Sequence, residues 1–140
     1  MSKLSSKEFL MSFNVLICDD SALARKMMKK SLPTGFVENA YEVSNGVDAL
    51  EVLAHHAIDL MLLDLTMPVL GGISVLGEIK RRGLETFVIV VSGDIQPLIH
   101  RKVASLGALD FVQKPLQPER LQAVLKKFGF VTTTEEALAG

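Results

Sequence analysis

The feature that most constrains this chain is an alternation. Five short apolar runs are separated by five amphipathic stretches, in strict order along the sequence. Asn14-Val15-Leu16-Ile17-Cys18, a weaker run from Val37 to Val43, Ile58 to Leu63, Phe87 to Val91 and Ala108 to Val112 read as strands. The runs suit strands covered on both faces, which is how parallel sheets are built. Between them, Ser21 to Leu32 carries Leu23, Ala24, Met27, Met28 and Leu32 on one side, with Arg25, Lys26, Lys29 and Lys30 on the other. That is a helical period. Val47 to His55 repeats it with Leu50, Leu53 and Ala54 inward, and the helix opened by Gly71-Gly72 does so with Ile73, Leu76 and Ile79. Pro97 to Leu106 and a last helix from Pro118 follow, the latter with Leu121, Val124, Leu125 and Phe128 at i, i+3, i+4 and i+7.

Strands alternating with helices predict an α/β fold: a doubly wound, flavodoxin-like sheet of five parallel strands in the order 2-1-3-4-5, with helices on both faces. At 140 residues the chain suits one domain. The expected boundaries are an N-terminal extension over residues 1–12, the domain over 13–129 and a polar tail or linker start over 130–140. Met11 is a further candidate start, and no second domain is expected to fit. Lys plus Arg number 15 against 16 Asp plus Glu, a net charge of −1 that argues against direct nucleic-acid binding. One cysteine, Cys18, permits no internal disulfide and points to a reducing compartment. With no signal-peptide pattern and no apolar run of membrane length, the expectation is a cytoplasmic chain without membrane contact.

Doubly wound sheets place their sites beyond the carboxyl ends of the strands. Asp19 and Asp20 follow the first strand, Asp64 the third, Ser92 the fourth, and Lys114-Pro115 the fifth. If strands one and three are neighbours, their ends lie roughly 5 Å apart and three carboxylates share one pocket. Each pair of charges then repels by roughly 3 kcal/mol at an effective dielectric of 20. Such a cluster calls for a cation or a shared proton. Oxygen ligands with room for water suit Mg²⁺ better than Zn²⁺ or an enclosed Ca²⁺. Lys114 and Ser92 add a positive charge and a hydroxyl, the parts of a phosphoryl-transfer site. Taken singly, each has a plainer reading: Asp19-Asp20-Ser21 as turn and helix cap, Ser92 as a cap, Phe111 as core, Cys18 as a small core residue. Cys18 is expected to be dulled as a nucleophile by its acidic neighbours. His55 and His56 fit a helix C-terminus rather than a ligand set.

At these residues the sequence resembles the receiver domains of two-component response regulators, from about Asn14 to Phe128. The resemblance rests on Asp19-Asp20, Asp64-Leu65-Thr66-Met67-Pro68 with Gly72 beyond, Ser92-Gly93, Phe111 and Lys114-Pro115. It implies Asp64 as phosphoacceptor from a histidine kinase or histidine phosphotransfer protein. It implies Mg²⁺ on Asp20, Asp64 and the backbone carbonyl of Thr66, with Asp19 acting through a metal-bound water. Lys114 and Ser92 would contact the phosphoryl oxygens, and Phe111 would turn inward as Ser92 moves. The output would leave through the fourth helix, fifth strand and fifth helix toward a downstream protein or fused output domain. The Ser92-Gly93-Asp94 loop and the tail bear a faint likeness to receivers joined to chemotaxis-type phosphatase domains. The resemblance also implies a cis Lys114–Pro115 peptide, kinase docking on the first helix, and a self-directed switch rather than a turnover enzyme. Gly71, where an acidic residue is common, and Ser92, where threonine is commoner, depart from the family pattern, and Thr66 and Asp94 would line the route of the hydrolytic water. The alternatives are a flavodoxin-like flavin-binding electron carrier, whose phosphate the acidic pair would repel, and a dehalogenase-like phosphatase, whose Asp-x-Asp is absent here.

Overall fold

The computed structural model describes residues 12–131. Five strands, β1 (Phe13–Cys18), β2 (Val37–Val43), β3 (Leu60–Leu63), β4 (Phe87–Ser92) and β5 (Asp110–Gln113), form one parallel sheet in the order β2-β1-β3-β4-β5. Five helices alternate with them: α1 (Ala22–Ser31), α2 (Gly46–His55), α3 (Gly72–Arg82), α4 (Pro97–Ser105) and α5 (Pro118–Lys127). The expected α/β architecture and strand order are both present.

The period-two alternation of a strand divides the core. Val15 and Ile17 of β1, Leu60 and Leu62 of β3, and Ile89 and Val91 of β4 pack under Met28 and Leu32 of the α1 side and Leu121 and Leu125 of α5. Leu16, Cys18, Met61, Leu63, Val88 and Val90 face the opposite way, against Ala49, Leu53, Val75, Leu76, Ile79 and Val103 from α2, α3 and α4. Every residue of β3 is buried, as the middle strand of a sheet covered on both sides requires.

Several inward assignments from periodicity are corrected. Leu23 is 70% exposed and Met27 43%, so the apolar stripe of α1 narrows to Met28 and Leu32. Ala54 is exposed on α2, and Phe128 at the end of α5 is partly so. A ten-residue helix meets the sheet along a strip, so residues flanking that strip satisfy the helical period without touching the core. Strand boundaries also shift. β3 begins at Leu60 because Asp59 is engaged at the sheet entrance, its Oδ2 accepting from the Asn14 amide at 2.8 Å. β5 runs from Asp110 to Gln113 rather than from Ala108.

The far end of the sheet is closed by aromatic rings. Phe13 lies 4.9 Å from Phe36 and 5.4 Å from Phe130, and Phe130 meets Phe87 edge-on at 5.6 Å. Gly129, at φ 82°, turns the chain after α5 so that Phe130 donates back to the Leu125 carbonyl and its ring reaches this cluster. Residues 1–11, which include Met11, and 132–140 lie outside the described residues.

Two helix glycines face opposite constraints. A Cβ on Gly72 would stand 2.5 Å from the Asp64 carbonyl oxygen, whereas one on Gly77 meets nothing within 4 Å. We therefore expect Gly72→Ala to lower stability to urea by about 1–3 kcal/mol through overpacking. Gly77→Ala should raise it by about 0.5–1 kcal/mol through helix propensity. Equal effects at the two positions would contradict this packing.

Candidate functional site

The carboxyl ends of β1 and β3 are adjacent, with Cys18 paired opposite Leu63 and the Asp64 amide donating to the Cys18 carbonyl at 2.9 Å. Each chain then delivers an acidic residue at the same height. Asp19, Asp20 and Asp64 offer carboxylate oxygens that all lie within 4.8 Å of one another. Asp19 and Asp64 are buried, while Asp20 faces solvent.

Lys114 enters from the loop after β5. Its Nζ lies 2.6 Å from Asp19 Oδ2 and 3.4 Å from Asp64 Oδ1, so one ammonium bridges both buried carboxylates. Its amide donates to the Ser92 carbonyl at 2.9 Å, which ties the lysine to the end of β4, and the Lys114–Pro115 peptide is cis. The nearer partner is Asp19, whose other oxygen accepts from the Ser21 amide at 2.9 Å. Ser21 in turn caps α1, its Oγ accepting from the Ala24 amide. The turn-and-cap reading of Asp19-Asp20-Ser21 therefore holds, and the same acidic pair lies in the carboxylate cluster.

Burial pushes the Asp64 carboxyl above its ordinary value, with Asp19 and Asp20 acting in the same direction and Lys114 opposing. Lys114 is raised: desolvation works against its charge but the two carboxylates outweigh it. The Cys18 thiol is raised well above its usual value, by burial first and by Asp19 second. The sequence anticipated the acidic neighbour; the larger cause is the sheet itself.

The loop between β3 and α3 is fixed at both ends. Gly72 donates to the Leu65 carbonyl and Gly46, at the start of α2, donates to the Leu70 carbonyl, each at 3.0 Å. A Cβ on Gly46 would fall 2.2 Å from that Leu70 oxygen. Between these ties Val69 has φ 68° and the Leu70 amide reaches back to the Pro68 carbonyl at 2.8 Å. That is a γ-turn of the rarer positive-φ kind, centred on a β-branched residue. Thr66 sits exposed at the start of this loop, two residues beyond Asp64.

Ser92 is buried at the end of β4, with Oγ accepting from the Asp94 amide at 3.2 Å. Phe111 is half-buried in β5 and stacks on His100, centroids 3.7 Å apart. Sequence reasoning passed over His100, whose partner lies on another element. Periodicity places Arg25 only on the polar side of α1 and gives no sign of its partners. Arg25 donates to the Asp19 carbonyl at 2.8 Å and pairs with Glu42 of β2, as does Lys29. His55 contacts the carbonyl and the carboxylate of Glu51 within its own helix, and the His56 ring lies tilted against Tyr41 with centroids 4.5 Å apart; neither belongs to the Asp19, Asp20 and Asp64 cluster.

The family model described as the response regulator receiver domain matches residues 15–126. The chain belongs to the response regulator receiver family. This receiver is 35% identical over 117 residues to the chemotaxis protein CheY of Bacillus subtilis, covering 84% of this chain and 98% of that protein. It is 33% identical over 117 residues to the transcriptional regulatory protein MalR of the same organism, covering 82% of this chain but 49% of MalR. The REC domain of AraT, a response regulator from Geobacillus stearothermophilus, superposes with a TM-score of 0.75 at 27% identity, covering 92% of this chain and 97% of that one. The receiver is thus a two-component phosphoacceptor domain, and it presents an acidic cluster able to hold a metal. Among the described residues no helix is long and apolar enough to cross a membrane.

The raised Asp64 carboxyl has a signed consequence. Its folded-state value exceeds the unfolded one, so stability falls as the pH rises through the carboxylate range and the buried charge forms. In metal-free buffer, Asp64→Asn should therefore resist urea better than the wild type at neutral pH. The gap should close as the pH is lowered until Asp64 is protonated. A variant less stable than wild type at neutral pH would contradict this.

Proposed function

We propose that Asp64 is the residue that accepts the phosphoryl group, and that the donor is the phosphohistidine of a histidine kinase or phosphotransfer protein. The observation carrying this reading is the bridging of Asp19 and Asp64 by Lys114 beside an exposed Asp20. An Asp64 carboxylate oxygen attacks phosphorus in line. The new O–P bond forms as the N–P bond breaks, and the electron pair returns to the donor imidazole, which takes up a proton. Lys114 is already charged and placed between the two carboxylates, so it meets the phosphoryl oxygens without reorganisation. Ser92 offers its hydroxyl from the end of β4. The chemistry lies in positioning and charge stabilisation, as elsewhere in phosphoryl transfer.

Asp19, Asp20 and Asp64 fit a small divalent cation, because all three donors are carboxylate oxygens and one side of the cluster is open. The ion we assign there is Mg²⁺, which Asp20, Asp64 and the Thr66 carbonyl would hold, with Asp19 acting through a metal-bound water. When bound, it supplies positive charge against the phosphoryl oxygens. Leu23 and Met27, exposed on α1 beside Lys114 and Pro115, line a groove next to the site and supply an apolar contact for the donor protein.

The reading makes this a self-directed cytoplasmic switch and not a turnover enzyme. The added dianion shifts the α4, β5 and α5 surface, with Phe111 turning as Ser92 moves. That surface then meets a downstream protein or a fused output domain. The CheY relative makes chemotaxis the favoured setting.

Incubation with acetyl phosphate and Mg²⁺ should add one phosphoryl group to the intact protein by mass spectrometry. The Asp64→Asn variant, and the wild type in excess EDTA, should gain none. A wild type that stays unmodified, or a variant modified equally, would overturn the assignment of Asp64.

A further inference from the structure

His100 has no part in the chemistry above, yet it touches Phe111, which the proposed switch turns, and Asp94, whose amide holds Ser92. It sits in the first half of α4 with its ring flat on Phe111 of β5, centroids 3.7 Å apart and planes inclined by 29°. Its Nε2 lies 3.0 Å from the backbone carbonyl oxygen of Asp94. A carbonyl only accepts, so Nε2 carries the proton and donates. Asp94 is committed on its other sides too. Its amide donates to Ser92 Oγ at 3.2 Å, and its Oδ1 accepts from the Gln96 amide at 2.9 Å. One imidazole therefore joins the hydroxyl at the end of β4, the loop leading into α4 and the aromatic ring of β5.

We propose that His100 is a positioning residue that clamps the receiver in its resting arrangement. The proposal rests on the reading of Asp64 as phosphoacceptor with Ser92 as its hydroxyl partner. For Ser92 Oγ to turn toward a phosphoryl group, the Asp94 amide must either release it or follow it. Following drags the Asp94 carbonyl from Nε2, and inward rotation of Phe111 removes the ring on which His100 lies. We take the loop to follow Ser92, so the hydrogen bond and the stack are both features of the resting state and are lost in the same transition. A ligand shifts a two-state equilibrium only by its differential affinity for the two states. Weakening contacts made only at rest therefore raises the competent fraction and tightens the apparent affinity for a phosphoryl group.

The test is a titration of the full chain with beryllofluoride, a phosphoryl mimic, at fixed Mg²⁺, followed by NMR. Relative to wild type, His100→Ala should bind about 10-fold tighter, having lost both the hydrogen bond and the stack. His100→Phe keeps an aromatic ring on Phe111 but loses the donor, and should bind about 3-fold tighter. This second variant also reads out the clamp if the alanine variant folds poorly. In neither should Mg²⁺ affinity without beryllofluoride change, since all three carboxylates stay in place. A merely structural histidine would lower the melting temperature and leave the mimic's affinity unchanged. Unchanged or weaker beryllofluoride binding in the variants, with normal binding in wild type, overturns the clamp alone. Failure of the wild type to bind overturns the switch reading, and the clamp falls with it.

Discussion

Three carboxylates held within 4.8 Å of one another at the end of a covered sheet repel, and the surrounding structure follows from how that repulsion is offset. Lys114 does most of it, reaching Asp19 at 2.6 Å and Asp64 at 3.4 Å. It does so incompletely, because the Asp64 carboxyl is still raised by burial and by its acidic neighbours. A bridged but under-compensated cluster has residual affinity for further positive charge. It also has an ammonium beside the carboxylate we propose as phosphoacceptor, so on that proposal the same imbalance would serve both metal binding and phosphoryl capture.

That arrangement depends on backbone held close to its geometry. Gly72 lets α3 approach the Asp64 carbonyl, and Gly46 lets α2 approach that of Leu70, so the loop carrying Thr66 and Val69 is pinned from two helices. The strand bearing Ser92 is treated differently. Its hydroxyl is tied through Asp94 and His100 to Phe111, a chain of single contacts rather than a packed backbone. The acidic side of the site is thus tied through backbone, while the hydroxyl side hangs on single side-chain contacts, a division that the proposed switch would use.

The sequence exposed the architecture because strand and helix periods are local properties. Val15 to Cys18 and Leu60 to Leu63 declare a buried parallel sheet by composition alone, and strand order then brings Asp19, Asp20 and Asp64 together. What it concealed depends on contacts between elements. Leu23 and Met27 satisfy the period of α1 but lie beside the strip that meets the sheet. Arg25 looks like its exposed lysine neighbours until β2 places Glu42 next to it. Val69 gives no sign of a positive φ, since the turn is imposed by the ties at Gly46 and Gly72. His100 is one polar residue on a helix in the sequence, and only the approach of α4 to β5 makes it a neighbour of Phe111. Phe130, three residues past α5, reaches the far aromatic cluster because Gly129 turns the chain back.

The central claim is that the phosphoryl group resides on Asp64. Reduction of the phosphorylated protein with tritiated borohydride converts an acyl phosphate on aspartate to labelled homoserine, which peptide mapping then locates. The account predicts label at position 64 alone. Label at Asp19 or Asp20, or a borohydride-resistant phosphoryl group on a histidine, would contradict it.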